Sequence, residues 1–279
     1  MLKTLSLVAL LTAASLGTAA ACQPTEPTKQ LRREILAKYQ AGQRDAGHRL
    51  LSRFDYASTW AAHDQVTVTA VFDSRAKGMT LYAERKPGVS STGDMLIAIP
   101  PGTRFLPAQR GGDLPQELIL ARGEVILMGS YHSSETAVVP VLCSTYRRQG
   151  PQPGVKYTLS MAQPDSALDR VAQAVCSGSR APQVSEAALA VWIASGSAPT
   201  PQSLGARRYL TFHEPRQAIT PAHVEGAKAI LKRAGLELSA FAFFKHLEQG
   251  TQATEPSEGE GQGEAEEPSQ EPAPTGASS

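Results

Sequence analysis

The stretch YHSSETA, residues 131–137, gathers an imidazole, two hydroxyls and a carboxylate in His132, Ser133, Ser134 and Glu135. A hydrolase uses such groups as nucleophile, as the base that takes its proton, and as the acid that orients the base. The stretch lies between two strand-like segments, where a polar turn accounts for the same composition. His63 and Asp64 in AAHDQV form a second pairing. Adjacent residues of a strand point to opposite faces, so base and orienter would diverge there. FHEPR, with His213, Glu214 and Arg216, reads as an exposed loop. No GxSxG elbow, P-loop, GxGxxG after a strand or paired-carboxylate motif occurs. No CxxC or HxxxH spacing offers a metal site either. The sequence assigns no catalytic residue, no metal and no cofactor.

Sulfur chemistry gives the firmer signal. The chain has three cysteines, Cys22, Cys143 and Cys176, and the leader explains the odd one. Lys3, the apolar Leu5 to Leu16 and the small residues Gly17 to Ala21 read as an export signal over residues 1–21. Its apolar core falls short of the roughly 20 residues a bilayer span requires. Ala20, Ala21 and Cys22 resemble the processing site of a bacterial lipoprotein, although Ala19 stands where that family usually has Leu. The resemblance implies lipidation of Cys22, which becomes the N-terminus, and a membrane partner reached through that anchor. Gln23 after the cysteine implies the outer membrane or cell surface. Ordinary cleavage after Ala21 is the alternative, and would release a periplasmic or secreted soluble protein. Residues 22–28, polar and with two prolines, read as a tether.

With Cys22 acylated, Cys143 and Cys176 remain as a pair in an oxidising compartment. A disulfide between them would contribute about 3–4 kcal/mol in the chain-entropy account. Two buried free thiols are the other reading.

The formal net charge of +1 conceals an uneven distribution. Residues 250–279 carry seven glutamates and no Lys or Arg, and lack aromatic residues, which predicts a disordered acidic tail. The body between leader and tail is correspondingly basic. Its cations are spread along the chain as on a solvated surface, and no nucleic-acid partner is expected.

Residues 29–249 are long enough for a single globular domain. Leu31, Ile35, Leu36 and Tyr39 predict a helix from Lys29 to Gln40, capped by Thr28 and stopped by Gly42. Residues 43–62 are ambiguous, with Leu50, Leu51 and Phe54 able to extend helical turns. QVTVTAVF alternates with the period of a half-buried strand. MTLYAER, MLIAI, ELILA, EVILM, TAVVPVL and VKYTLS follow between Gly- and Pro-rich turns. These segments predict an α+β fold whose centre, residues 65–160, is an antiparallel sandwich or barrel of about seven strands. Pro140 marks an edge strand or a bulge. The span 165–249 predicts a helical cap. One helix there begins at Asp165 or Ser166, one at Ser185 with Leu189, Trp192 and Ile193 on one face, one at Thr220 and a short last one at Ser239.

VPVLC, the helical ALAVW and ITPAHVEGAKAILKRAGL together resemble the thioester-type domains of bacterial surface adhesins. In that family a cysteine bonds to a glutamine side chain, and Leu142-Cys143 matches the cysteine half. The glutamine position is occupied by Ala188, so the resemblance implies a binding role without thioester chemistry. The chain accordingly reads as a non-catalytic envelope module that binds an unknown envelope or extracellular ligand or serves structurally. Alternatives are a hydrolase built on His132 and a degenerate thioester adhesin. A binding module would carry an exposed apolar or basic patch on its sheet or loops.

Overall fold

Leu31, Ile35 and Tyr39 form the buried stripe of helix α1 (Glu26–Gln40) in a computed structural model of the chain. The structure describes residues 24–252 apart from 77, 91, 109–114, 147–149, 178–183, 202–207 and 210–216. Cys22, the FHEPR segment and residues 253–279 of the acidic tail lie outside the described residues. Helix α1 begins earlier than the sequence reading placed it. Its N-cap is Thr25, and Thr28 is buried within the first turn with its hydroxyl 2.7 Å from that of Thr25. Pro27 is no obstacle, because the first turn of a helix has no use for its missing N–H. The stretch read as tether over 22–28 therefore gives its last three residues to the helix. The backbone N–H of Thr25 donates to Asp94 Oδ2 at 2.8 Å, which ties the entry of the chain to the body.

Gly42 ends α1 at a φ of +70°, and the ambiguous stretch resolves into α2 (Arg44–Leu51). The strands are β1 (Ala57–Thr59), β2 (Val66–Asp73), β3 (Gly78–Arg85), β4 (Met95–Ile99), β5 (Thr103–Pro107), β6 (Leu118–Ile119), β7 (Glu124–Met128), β8 (Ser134–Val139), β9 (Leu142–Cys143), β10 (Lys156–Met161), β11 (Arg208–Tyr209) and β12 (Gln217–Ala218). Helices α3 (Ala167–Cys176), α4 (Val184–Ala194), α5 (Pro221–Arg233) and α6 (Ala242–Gln252) complete the chain, with a short 3-10 turn at Leu238–Ala240. Helix α6 runs through Gly250, two residues past the expected start of the tail. Ser166 is the N-cap of α3, its hydroxyl accepting from Asp169 N at 3.2 Å.

The architecture is α+β, as the patterning predicts. Seven antiparallel strands curl into a half-barrel in the order β8-β3-β2-β10-β5-β6-β9. A separate three-stranded sheet has the order β1-β4-β7, with β1 parallel to β4. The two edge strands of the half-barrel, β8 and β9, are separated in the chain by Pro140 and Val141 alone. One stretch of backbone thus pairs first with β3 and then with β6. Proline has no N–H to donate and sits where the chain leaves one ladder for the other.

Strand β4 explains the unbroken apolar run MLIAI. Met95, Ile97 and Ile99 belong to the main core, whereas Leu96 and Ala98 pack with Leu31, Ile35 and Tyr39 of α1. A strand buried on both faces has no polar side to alternate with. Helix α4 departs from the one-sided face expected of it, since every residue from Ser185 to Ile193 is buried. A helix apolar all round occupies the interior, here between β9, α3 and α5.

Tyr39 is fully buried, and its ring edge meets His48 of α2 at 5.9 Å between centroids. Gly47 and Gly123 admit the ring. A Cβ at Gly123 would lie 2.5 Å from it, and one at Gly47 would collide outright. Gly47→Ala is therefore expected to destabilise the protein by about 1–2 kcal/mol, although alanine improves a helix interior by up to about 1 kcal/mol. Urea unfolding of the variant checks the sign, because a stabilised G47A protein would mean that Tyr39 has room to move.

Candidate functional site

After α2 the chain crosses Phe54 to Gln65 without regular structure except for β1. The parallel pairing of Ala57 with Leu96 and the bond from Leu96 N to Tyr56 O, 2.9 Å, fix the middle of this segment. The bond from Lys86 N to Gln65 O, also 2.9 Å, fixes its end. Between the segment, the end of β3 and the start of β4 lies a cleft of about 580 Å³. Phe54, Asp55, Tyr56, His63, Asp64 and Gln65 line one side, and Arg85 and Asp94 the other.

The two charged groups opposite are already committed. Arg85 Nε donates to His132 O at 2.8 Å, Nη1 to Ser90 O at 3.2 Å, and Nη2 to Gly93 O and Gly129 O at 3.0 and 3.3 Å. Burial lowers the Arg85 pKa, against the attraction of Asp94. Burial works to raise the Asp94 carboxyl, but hydrogen bonds from Thr25, Thr28 and Ser130 outweigh it and hold the group below its ordinary value. Arg85 and Asp94 are thus wall rather than bait. In contrast, the side chains of Asp55 and Gln65 make no hydrogen bond among the described residues. Burial lowers the His63 pKa, offset in part by Asp64, and Gln65 N approaches His63 Nδ1 at 3.4 Å. The imidazole is accordingly neutral near pH 7. Phe54 is 38% exposed, and its ring lies 5.6 Å from that of Tyr56, tilted by 49°.

His63 and Asp64 do line one cavity, contrary to the expectation that they diverge. They stand in the turn before β2 and not on a strand, so the alternation of strand side chains does not govern them. Asp55 and Gln65 were not singled out in the sequence, and Phe54 was read only as extending helical turns, which stop at Leu51. Their only signal was a mixture of aromatic and polar residues without period, in a segment too irregular to be core.

His132 does meet a second titratable side chain, with Glu135 Oε1 at 2.5 Å from Nδ1. The pair sits at the start of β8, and both residues are about one-third exposed. Among the described residues no serine or threonine hydroxyl is hydrogen-bonded to this ring. Ser133 and Ser134 are exposed, and His132 does not line the cleft. A histidine with a carboxylate partner is present, and no nucleophile is bonded to it among the described residues.

Both body cysteines carry free thiols in this structure. Cys143 is buried in β9 opposite Leu118, and burial pushes its pKa far above the ordinary thiol value. Cys176 ends α3, and its Sγ contacts the carbonyl oxygen of Ala121 at 3.7 Å. Burial raises its pKa too, partly opposed by Arg122. On this arrangement iodoacetamide labels Cys176 first and Cys143 only on unfolding, because alkylation requires an exposed thiolate. The non-reduced mass of the unfolded, alkylated protein checks this. Failure of both to label without reductant would place a disulfide between them.

Helix α4, which carries Ala188 and Trp192, packs against β9, which carries Cys143. Cys143 and Ala188 thus lie on neighbouring elements. On the outer face of the half-barrel, Tyr82 and Val138 are 38% and 52% exposed on adjacent strands. Their cross-strand partners there are Thr69, Thr136 and Thr80. No helix among the described residues is long and apolar enough to cross a membrane. The chain matches no family model, no curated protein and no solved structure.

Proposed function

We propose that this chain is an exported envelope protein, lipid-anchored at Cys22, whose folded domain is a non-catalytic binding module with its site in the cleft between residues 54–65 and the Arg85–Asp94 wall. The observation that carries the reading is the division of labour in that cleft. One wall is locked by its own hydrogen bonds, while the side chains of Asp55 and Gln65 have no hydrogen-bond partner among the described residues. A cavity of this size is in the range used for small ligands, and among the described residues none of the hydroxyls that line it is hydrogen-bonded to the His63 imidazole. The exposed Tyr82 and Val138 give the module a second, shallower surface for contact.

The test separates anchor from binding. A Cys22→Ser chain is exported without its lipid and mixed with washed envelopes of its own cell. A binding module stays with the envelope and is released when Phe54→Ala or Asp64→Asn is added. A chain found wholly in the soluble fraction, with or without the cleft variants, would remove the binding reading. Hydrolysis is the second reading, and the His132–Glu135 pair is the observation in its favour. It requires turnover of a generic ester that disappears in His132→Ala.

A further inference from the structure

The ligand class can be read from the cleft, on the premise that the cleft is the binding site. We infer that it takes a neutral saccharide. Its lining offers several kinds of group to a ligand, the Ser58 hydroxyl among them. Asp55 and Asp64 offer carboxylate oxygens, which accept hydrogen bonds and donate none. Gln65 offers an amide with both a donor and an acceptor end, and His63, whose Nδ1 takes the Gln65 N–H at 3.4 Å, offers Nε2–H as a donor. Phe54 offers a partly exposed ring, supported from the side by Tyr56. A sugar presents the complement of that set: hydroxyls that donate and accept at once, beside a patch of C–H groups that lies against an aromatic face.

The same inventory disfavours other small ligands. A phosphate or carboxylate would need a free cation, and the Arg85 guanidinium is spent on four backbone carbonyls. Arg53 and Lys86, neighbours in the chain of lining residues, are exposed and absent from the lining, although the Lys86 charge is felt by His63. A wholly apolar ligand would leave Asp55, Asp64 and Gln65 desolvated without partners, which is costly. An organic cation finds carboxylates, but it would leave the donors of Gln65 and His63 unused.

The other cavities carry less. The space beside Val141, Val175 and Ala187 is mainly apolar and about 210 Å³, with Arg122 as the charged side chain in its lining and nothing there that points to a particular ligand. The one between Pro199 and Phe241 is lined mainly by small and apolar side chains, with His246 already engaged elsewhere.

The experiment is a protein-observed NMR titration of the mature full-length chain in detergent, with maltose, cellobiose and N,N′-diacetylchitobiose as probes and spermidine as the cationic control. The expected result is that one saccharide shifts the amides of residues 54–65 and 92–95. Phe54→Ala and Asp64→Asn each then weaken that response by about tenfold or more. Phe54 and Asp64 are exposed, so both variants keep the fold, which the unshifted amides of the half-barrel report. Shifts in the cleft with spermidine alone would overturn the saccharide and leave the binding module standing. No shift in the cleft with any probe, together with loss of envelope retention by the Cys22→Ser chain, would overturn both.

Discussion

Asp169→Ala is expected to cost the protein about 3–5 kcal/mol, the penalty for removing one partner of a buried ion pair. Asp169 is wholly inaccessible in the first turn of α3, and Arg44 of α2 is 13% exposed. Arg44 Nη1 donates to Asp169 Oδ1 at 2.5 Å. The other oxygen accepts from Asp165 N at 3.3 Å and from Gln173 Nε2 at 3.2 Å. Gly102, in the turn between β4 and β5, presses its backbone close to the same carboxylate. The pair therefore joins the N-terminal helices, the cap and the sheet at a single point. Alanine would leave a guanidinium with little water and only the exposed Asp45 carboxylate, 3.8 Å from its Nε, as counter-charge. Asp169→Asn keeps the shape and some acceptor capacity and should fall between alanine and the native residue. Urea unfolding at neutral pH measures both. A loss below about 1 kcal/mol would mean the pair behaves like an exposed one. A double cycle with Arg44→Ala then isolates the coupling, which should account for most of the loss.

Arg85→Ala should be nearly as damaging, by about 2–4 kcal/mol, because charge-assisted hydrogen bonds to several carbonyls are lost together. The planar head of Arg85 gathers the turn before β8, the loop after β3 and the start of β4, touching Met95 Sδ as well at 3.0 Å. Lysine cannot replace it, since an ammonium on a flexible stem does not spread its donors over that arc. Arg85→Lys should thus recover under half of the lost stability. Hydrogen exchange adds a local reading. Amides of Met95 to Ile97 should lose protection before those of β2, because only β4 depends directly on the loop that Arg85 gathers. Equal loss across both strands would show that Arg85 supports the whole fold and not this corner.

The parts of the fold that were legible are those where one side of an element meets water. Val66, Val68, Ala70 and Phe72 revealed β2 by alternation, and Leu31, Ile35 and Tyr39 revealed α1 by helical spacing. Strand β5 was hidden, because TRFLP is short and lies among Pro and Gly residues that read as loop. It becomes a strand by pairing with β10, from Thr103 opposite Met161 to Pro107 opposite Tyr157. The three residues of β1 had no local signal and depend on β4, which lies far along the chain. Helix α4 was found, but its one-sided face was not, since burial on every side erases the contrast that periodicity measures. The cleft was the least legible part. Its residues come from a turn, a strand end and a loop start, and only the tertiary fold brings Phe54 opposite Asp94.

The early start of α1 has a consequence for an anchored chain. With Cys22 in the bilayer surface, only Gln23 and Pro24 separate the acylated residue from Thr25, and Thr25 is bound to Asp94 in the wall of the cleft. Three residues of extended chain reach about 10–11 Å at most. The domain then has no leash on which to explore the envelope. If Cys22 is acylated as proposed, the domain would be held close to the membrane, with the Asp94 wall of the cleft near its surface. Molecules farther out are beyond its reach unless they come to the surface themselves.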